Sequence, residues 1–329
     1  MKKVRWGILS TAKIGTGKVI PAIQAGELCE VVAIASRNKE QGEATAAQLN
    51  IPVAYDSYEA LLKDSNIDAV YIPLPNHLHV EWAIKALQAG KHVLCEKPIG
   101  LTVTEAETLS AEAKKYPQLK IMEAFMYRFH PQWVLAKKMV SEGKIGKLET
   151  IQSFFSFYTL DPKDIRNQKE LGGGGIMDIG CYCISLSRFL FDREPIGIFG
   201  KAEFDPAWGT DRMASGILDF GTGTSTFTCS TQLTPYQRVN IVGPTGRIEI
   251  DIPFNAPTDK QTRMWLHTVK GSEEIVFPII NQYSLQADLL AKAILNNESV
   301  PTPLEDAVNN MKVIESFFKS AKEKKFLSM

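Results

Sequence analysis

The sequence has no net charge, few cysteines and no long apolar segment, and each shortage excludes a class of protein. Thirty-seven basic residues balance thirty-seven acidic ones, so the chain has little to attract a nucleic-acid backbone or an anionic membrane surface. Five scattered cysteines, an odd number, do not form a disulfide framework, and we expect buried thiols and no metal site. No apolar run approaches the length of a membrane span. The start, Met1–Trp6, lacks the features of a signal peptide, so we expect a cytoplasmic protein.

What is present in the first part of the chain is an alternation of apolar strands with helices. Five strands are predicted, at Val4–Ser10, Glu30–Ser36, Ala69–Ile72, His92–Cys95 and Lys120–Ala124. These strands are continuously apolar rather than alternating, which is typical of a parallel sheet covered on both faces. Capping residues open the helices that follow Ser57 and Thr102. We therefore predict an α/β, doubly wound Rossmann domain over residues 1–124.

After about residue 125 the pattern changes to consecutive strands. A helix at Pro131–Glu142 and a strand at Lys147–Tyr158 come first. Six short strands follow between Ile196 and Pro278, separated by turns such as Gly221–Gly223. Helices at 284–296 and 304–324 end the chain. This pattern predicts a C-terminal α+β domain over residues 125–329 with a large, mainly antiparallel open sheet, whose last helix could pack back on the first domain.

The segment after the first strand is a candidate nucleotide-binding turn. A dinucleotide site needs a tight turn, close backbone approach to the pyrophosphate and a helix start aimed at it. On the G-x-G-x-x-G pattern the three glycine positions are Ser10, Ala12 and Gly15, so two of the three depart from glycine. Small residues still meet the steric demand, and we predict that Ser10, Thr11, Ala12, Lys13 and Ile14 bind the cofactor. An ordinary strand–turn–helix is the alternative.

The end of the second strand indicates which dinucleotide is bound. It has Ser36 and Arg37 where an NAD-specific site usually has an acidic residue for the ribose hydroxyls. Arginine pairs with a 2′-phosphate, whereas a carboxylate repels it. We therefore predict that Ser36 and Arg37 bind NADP in preference to NAD; the alternative is that Arg37 is a solvated loop residue.

Two segments could supply the chemistry of hydride transfer, which needs a proton carrier and a group that stabilises charge on oxygen. Glu96 and Lys97 follow an apolar strand, where open α/β sheets bind their ligands. Asp178 and Tyr182 follow the glycine-rich turn Gly172–Gly175 and share one helix face because they are four residues apart. The alternatives are an exposed charged loop at the first segment, and packing with a helix-dipole contact at the second.

At these residues the whole chain resembles the glucose–fructose oxidoreductase/inositol dehydrogenase (Gfo/Idh/MocA) family. The Glu96–Pro98 triplet and the Gly173–Gly175 run followed by Asp178, Gly180 and Tyr182 match its two most specific motifs. Segments 6–12 and 122–131 resemble the branch that contains dimeric dihydrodiol dehydrogenase and NADP-linked xylose dehydrogenase. In that branch serine and alanine stand where other members have glycines.

The resemblance implies roles for further residues. Lys97 contacts the reacting hydroxyl, Tyr182 donates or accepts the proton, and Asp178 orients the substrate. Side chains implied on the nicotinamide side of the cofactor, with Glu96 and Lys97, are Pro73, Asn76 and His79. Arg128 is implied near the substrate, and the sheet of the second domain is implied to be buried in a homodimer or higher homo-oligomer.

Together these features predict an NAD(P)-dependent dehydrogenase or reductase that acts on CH–OH groups of a sugar or small diol, with Lys97 and Tyr182 at the reacting oxygen. A second hypothesis is a non-catalytic NADP-binding sensor on the same scaffold. A third is an oxidoreductase that keeps its cofactor bound and recycles it between two substrates; the sequence shows no extra N-terminal arm, which disfavours that alternative.

Overall fold

The computed structural model describes residues 2–329, which divide into two compact units. Unit 1 comprises residues up to 126 together with 282–308, and unit 2 comprises residues 127–281 together with 309–329. The predicted second domain ran without interruption from 125 to 329. The structure differs from this prediction in one segment: residues 282–308 belong to unit 1 and not to unit 2.

Unit 1 contains a six-stranded parallel sheet. Its strands are β1 (Val4–Leu9), β2 (Cys29–Ala35), β3 (Val53–Tyr55), β4 (Ala69–Ile72), β5 (His92–Cys95) and β6 (Ile121–Glu123). Their order in the sheet, β3-β2-β1-β4-β5-β6, is that of the Rossmann fold, and the predicted doubly wound parallel sheet is confirmed. Because the order reverses between β1 and β4, the carboxyl ends of these two strands border the crevice in which such sheets bind ligands.

The helices of unit 1 connect these strands. They are α1 (Ile20–Gln24), α2 (Lys39–Gln48), α3 (Tyr58–Leu62), α4 (His79–Gln88) and α5 (Val103–Ala113). The predicted caps are confirmed, since the hydroxyls of Ser57 and Thr102 accept hydrogen bonds from backbone N–H groups three residues later. A π-helical turn, Gly15–Val19, precedes α1.

Unit 2 is built on a nine-stranded sheet. Its strands are β7 (Thr150–Tyr158), β8 (Gly197–Phe204), β9 (Asp211–Asp219), β10 (Thr224–Ser230), β11 (Gln232–Gly243), β12 (Gly246–Ile250), β13 (Thr262–Thr268), β14 (Gly271–Phe277) and β15 (Leu327–Ser328). The order is β14-β13-β12-β11-β7-β10-β9-β8-β15, and every neighbouring pair is antiparallel except β7 and β10. The predicted large, mainly antiparallel sheet is confirmed.

Four helices complete the chain. Unit 2 contains α6 (Pro131–Ser141) and α7 (Cys181–Phe191), the second of which follows a π-helical turn at Ile176–Gly180. The last two are α8 (Gln282–Leu295) and α9 (Leu304–Glu323). In unit 1, the carboxylate of Asp288 on α8 accepts hydrogen bonds from the backbone N–H groups of Glu27 and Leu28, which lie just before β2. This contact fastens α8 to unit 1.

Each unit has its own apolar core. In unit 1 the fully buried side chains include Trp6, Ile8 and Tyr71, and in unit 2 they include Trp133 and Phe254. Burial of one such side chain contributes about 1.5–3 kcal/mol to the free energy of unfolding. No helix within residues 2–329 is both long enough and apolar enough to cross a membrane.

Candidate active site

The carboxyl ends of β1 and β4 bring two of the predicted cofactor segments together in unit 1. A Cβ atom placed on Gly15, just after the β1 turn, would lie 3.4 Å from Cγ of Pro73, which follows β4. The turn and the loop after β4 therefore lie close together at the point where the strand order reverses. This is the position in which open α/β sheets bind their ligands.

The turn after β1 is held in a conformation that glycine normally adopts. Ser10 has a φ of +118°, in the region that side chains rarely occupy. Its hydroxyl oxygen accepts a hydrogen bond from the N–H of Ala12 at 3.0 Å, and its own N–H donates to the carbonyl of Ala35 at 2.9 Å. Lys13 and Ile14 are exposed beyond the turn. The serine thus closes the turn through its side chain, while the hydroxyl proton is left to donate elsewhere.

Arg37 is exposed at the carboxyl end of β2, the strand next to β1 in the sheet. Ser36 before it is buried, and the Ser36 hydroxyl accepts a hydrogen bond from the N–H of Asn38 at 3.2 Å. The side chain of Asn38 caps α2. Because both neighbours are used to fix the backbone, the exposed side chain of Arg37 leaves the backbone at a defined place.

His79 lies behind the loop that follows β4. Its ring is completely buried, with Nδ1 2.7 Å from the carbonyl oxygen of Pro98 and Nε2 2.7 Å from that of Leu74. Burial lowers the pKa of His79 to about 4, so the ring is neutral near pH 7 and has a single N–H to donate. In this position His79 braces the loops after β4 and β5 against each other. A direct cofactor contact through its ring stays a prediction, as does that of the half-buried Asn76.

Lys97 stands directly after β5, the strand beside β4. It is half-buried, and its peptide bond to Pro98 is cis. The carboxylate of Glu96 accepts a hydrogen bond from the phenol of Tyr71 at 2.5 Å, and the N–H of Glu96 donates to the carbonyl of Ile72. The residue before the lysine is therefore fixed to β4, which places the lysine at the carboxyl edge of the sheet.

In unit 2 the glycine-rich turn 172–175 is shaped by a buried carboxyl group that the sequence analysis missed. Gly174 has a φ of +117°, and a Cβ atom on it would lie 2.1 Å from Oδ1 of Asp211. Oδ2 of Asp211 accepts a hydrogen bond from the N–H of Ile176 at 2.7 Å. Burial raises the pKa of Asp211 to about 7, although backbone N–H donors favour its ionised form. Asp211 thus caps the start of the helical segment that continues into α7.

Asp178 and Tyr182 lie on that segment, as predicted. Asp178 is half-buried, and its Oδ2 accepts a hydrogen bond from Nε of Arg166 at 2.7 Å. Tyr182 is buried, and its ring centroid lies 5.7 Å from that of Tyr127 and 5.5 Å from that of Phe254. Aromatic packing fixes the direction of the phenol, while an ion pair fixes the carboxylate.

Arg128 faces the interior of unit 2. Its Nη2 donates to Oγ of Ser185 on α7 at 2.7 Å, and its guanidinium lies over the ring of Phe189 at 5.4 Å. The phenol of Tyr127 shares the same serine hydroxyl at 2.8 Å. Because Ser185 is one turn beyond Tyr182, Arg128 helps to hold α7 in place. Its predicted contact with substrate stays a prediction.

The predicted residues therefore form two groups. Unit 1 gathers the β1 turn, Arg37 and the loop before His79 with Lys97 at the carboxyl ends of four neighbouring strands. Unit 2 gathers Asp178 and Tyr182 on one helical segment, together with Arg166. The first group suits a dinucleotide with its phosphates, and the second offers a proton carrier and a carboxylate. Within residues 2–329 no cluster of three or more histidine, cysteine, aspartate or glutamate side chains is arranged to hold a metal ion.

Comparison with known proteins identifies the family of both parts of the chain. Residues 4–124 match the model of the oxidoreductase family GFO_IDH_MocA, NAD-binding Rossmann fold, and residues 133–249 match the GFO/IDH/MocA C-terminal domain. D-xylose 1-dehydrogenase (NADP(+)) 2 of Haloferax volcanii is 38% identical over 96% of this chain and 97% of its own. Trans-1,2-dihydrobenzene-1,2-diol dehydrogenase of Xenopus tropicalis is 34% identical over 77% of each chain.

A solved structure extends the likeness to the whole fold. The 3-ketoreductase KijD10 of Actinomadura kijaniata, in complex with NADP and TDP-benzene, has a TM-score of 0.91 and 29% identity, and the match covers 97% of this chain and 98% of that one. Both domain models, full-length relatives above 30% identity and this structural match agree with the family predicted from the two sequence motifs. The chain is therefore an enzyme of the GFO/IDH/MocA oxidoreductase family, with an NAD-binding Rossmann domain followed by the family's C-terminal domain.

Proposed function

We propose that the protein is an NADP-dependent dehydrogenase or reductase that acts on a hydroxyl-bearing carbon of a sugar or small diol. The observation that carries the proposal is the position of Lys97, half-buried directly after β5 and beside the strand ends that border the nucleotide turn. An ammonium group there can stabilise negative charge that develops on an oxygen atom of a bound substrate. Relatives of this chain are named for NADP-linked oxidation of xylose and for oxidation of a dihydrodiol.

Lys97 and Tyr182 divide the work at the reacting oxygen. In the oxidative direction Tyr182 acts as a phenolate whose oxygen accepts the hydroxyl proton, and the C–H bond breaks with its electron pair leaving as hydride. NADP held at the β1 turn would supply the hydride acceptor, C4 of its nicotinamide ring. The ammonium of Lys97 stabilises the negative charge that develops on the substrate oxygen, and Asp178 orients a neighbouring hydroxyl. Reduction uses the same groups in reverse.

Replacing either group tests this division. We expect Lys97→Met and Tyr182→Phe each to lower kcat by about 10²- to 10⁴-fold, because each removes an interaction made at the reacting oxygen. The Kd for NADP, measured by fluorescence titration, should stay within about threefold of the wild-type value. Lys115→Met and Tyr116→Phe, at the end of α5 and away from the strand ends, serve as matched controls. Near-normal turnover in either test variant would exclude that residue's role.

Arg37 supports NADP rather than NAD. Its exposed guanidinium stands at the end of β2, where a carboxylate would repel a 2′-phosphate. We expect Arg37→Asp to weaken NADP binding by about 10- to 100-fold, the size of one charge-assisted hydrogen bond, and to leave NAD binding nearly unchanged. Lys63→Asp, the same charge change at another exposed position of unit 1, should alter neither affinity. Equal affinities for the two dinucleotides in the wild-type enzyme would contradict the assignment.

We also propose that the sheet of unit 2 associates with a second copy. Phe199, Ile217 and Tyr236 expose apolar surface on β8, β9 and β11, and they line one open face of the sheet. Exposed aromatic and aliphatic side chains on an open sheet face are typical of a subunit interface. Light scattering should give a mass of at least two chains, and the mass of a single chain at micromolar concentration would contradict this part of the proposal.

A cytoplasmic location completes the proposed function. All five cysteines of the chain are buried and none forms a disulfide. Buried free thiols are in keeping with a reducing compartment.

A further inference from the structure

One ion-pair cluster joins Asp178 to two residues that have no part in the function proposed so far. It consists of Asp164, Arg166 and Asp178, and we call it the Arg166 cluster. Nε of Arg166 donates to Oδ2 of Asp178 at 2.7 Å, and Nη1 donates to Oδ1 of Asp164 at 3.2 Å. The guanidinium also lies over the ring of Phe157, 5.4 Å from its centroid. Three contacts therefore fix the plane of the guanidinium.

The loop that carries Arg166 is fastened to the glycine-rich turn. The N–H of Gly174 donates to the carbonyl of Arg166 at 2.9 Å, and the N–H of Gly173 donates to that of Gln168 at 3.0 Å. A Cβ atom on Gly173 would lie only 2.6 Å from the carbonyl oxygens of Ile165 and Arg166. The backbone at Arg166 is thus positioned by the same turn that begins the segment with Asp178 and Tyr182.

One nitrogen of Arg166 remains available. Nη2 has no hydrogen-bond partner among residues 2–329, and the side chain is 39% exposed. The guanidinium is a rigid fork whose Nε and Nη2 hydrogens point the same way along one edge. Since Nε on that edge is bonded to Asp178, a charged donor and a carboxylate acceptor stand side by side. Two adjacent hydroxyl groups of a polyol match such a pair, one donating to the carboxylate and the other accepting from Nη2.

The charge of the Arg166 cluster restricts the substrate further. Two carboxylates and one guanidinium give a formal charge of −1, and the two acids raise the pKa of Arg166 further above its ordinary value, so the cation persists at any working pH. The other charged residues of this loop, two acids and two lysines (Asp161, Lys163, Lys169 and Glu170), are exposed and cancel. Asp211, on the far side of the glycine turn, can only add negative charge. A net negative cluster disfavours an anionic substrate group placed beside it.

We propose that Arg166 is a substrate-binding residue which, with Asp178, recognises two adjacent hydroxyl groups of an uncharged sugar or polyol and selects against sugar acids and sugar phosphates. This inference rests on the proposed function, because it places the substrate next to Asp178.

Charge-changing variants test the selection against anions. The readout is the ratio of kcat/KM for a neutral aldopentose to that for a uronate, an aldose with a carboxylate at its far end. We expect a ratio of at least about tenfold for the wild-type enzyme. Asp164→Asn should lower the ratio because the cluster charge becomes 0, and Arg166→Gln should raise it because the cluster charge becomes −2. Asp161→Asn removes an exposed carboxylate from the same loop and is the matched control. A wild-type preference for the uronate, or ratios that do not move in opposite directions, would overturn the proposal.

Deoxy substrates test the hydroxyl contact. Arg166→Gln should raise KM for the neutral aldose by about 10- to 100-fold, the size of one charge-assisted hydrogen bond, with kcat changed far less. With the wild-type enzyme, one monodeoxy aldose should have a KM that is raised by the same factor. With Arg166→Gln, the KM for that deoxy sugar should be no higher than the KM for the parent aldose. If Arg166 only supports the loop, the increase in KM caused by the substitution multiplies the increase caused by each deoxy position, for every deoxy sugar, and the proposal fails. Arg166→Lys keeps the charge without the fork and should recover only part of the loss.

The outcome is distinguishable from a failure of the proposed function. Calorimetric titration of the NADP-loaded protein with the neutral aldose and the uronate measures the same preference without turnover. Turnover in the wild-type enzyme with no effect of the Arg166 variants would overturn the inference alone. Absence of NADPH formation with every sugar and diol would overturn the proposed function, and tighter binding of the neutral aldose would still support the inference in that case.

Discussion

The two helical segments that carry the candidate site begin in the same way, one in each unit. Ser10 and Gly174 have φ angles of +118° and +117°, and each is followed by a π-helical turn that leads into an α-helix. The two positions nevertheless have different residues. A positive φ therefore does not by itself require glycine. A side chain is tolerated or excluded according to which atoms lie at the position of its Cβ atom.

At Ser10 a side chain is useful, because its hydroxyl accepts a hydrogen bond from Ala12 within the same turn. At Gly174 a side chain has no room, because the carboxyl group of Asp211 occupies the place of the Cβ atom. The first turn is thus closed by its own residue, and the second by a residue from β9. Variants at three positions test whether the two turns are closed in these different ways.

The largest effect is expected from Gly174→Ala. The added methyl group would have to displace Asp211 and would also force alanine into a strained backbone region, so we expect the free energy of unfolding to fall by about 3 kcal/mol or more. Urea denaturation measures the change. Gly17→Ala, in the π-helical turn before α1, is the matched control, because no atom lies within 4 Å of the place of its Cβ. A loss below about 1 kcal/mol at Gly174 would contradict the packing argument.

A pH-dependent effect is expected from Asp211→Asn. Burial raises the pKa of Asp211 from 3.8 to about 7 in the folded state, so the folded protein binds this proton more tightly than the unfolded chain does. This group therefore makes the wild-type protein less stable as pH rises from about 4 to about 7, by up to about 1.4 kcal/mol per pH unit, and adds no further slope above.

Asparagine keeps a hydrogen-bond acceptor for Ile176 and lacks the titration. The stability of Asp211→Asn relative to the wild-type protein should therefore increase across the same pH range and level off above it, as measured by urea denaturation at several pH values. A difference that is constant between pH 4 and pH 7 would show that the carboxyl group titrates normally.

The smallest effect is expected at Ser10. Ser10→Ala keeps the strained backbone and loses the hydrogen bond to Ala12, so it should be less stable by about 1 kcal/mol. Ser10→Gly loses the same bond but relieves the strain, so it should lie within about 1 kcal/mol of the wild-type protein and above the alanine variant. Thermal unfolding of the three proteins gives the order. Equal stability of the two variants would mean that the φ angle of Ser10 carries no cost.

Much of the fold was predictable because it depends on local patterns. Continuous apolar runs predicted five of the strands of unit 1. The short β3 was missed because it has only three residues at the sheet edge, of which Val53 is exposed and the other two are half-buried. The π-helical turns were not predicted, since nothing in the spacing of apolar residues distinguishes them from an α-helix. Nor did any local signal indicate that residues 282–308 belong to unit 1, because that depends on contacts such as those of Asp288 with Glu27 and Leu28.

The site was predictable only where a motif lies within one segment. Lys97 and Tyr182 stand in motifs of consecutive residues, whereas Asp211 reaches its turn from 35 residues away and Arg166 meets Asp178 across 12 residues. His79 was predicted beside the cofactor, but its buried ring contacts two backbone carbonyls that the sequence does not connect. Contacts of this kind depend on the tertiary fold and leave no periodic signal.

The most direct test of the proposed mechanism is a double-mutant cycle that measures the rate of hydride transfer. The rate of NADPH formation in a single turnover is measured for the wild-type enzyme, Lys97→Met, Tyr182→Phe and the variant with both changes. Because the two groups are proposed to act on one oxygen in one step, we expect the double variant to be no more than about tenfold slower than the slower single variant. A rate decrease in the double variant equal to the product of the two single decreases would contradict the claim that the ammonium and the phenol act together. Single variants with normal turnover would contradict it as well.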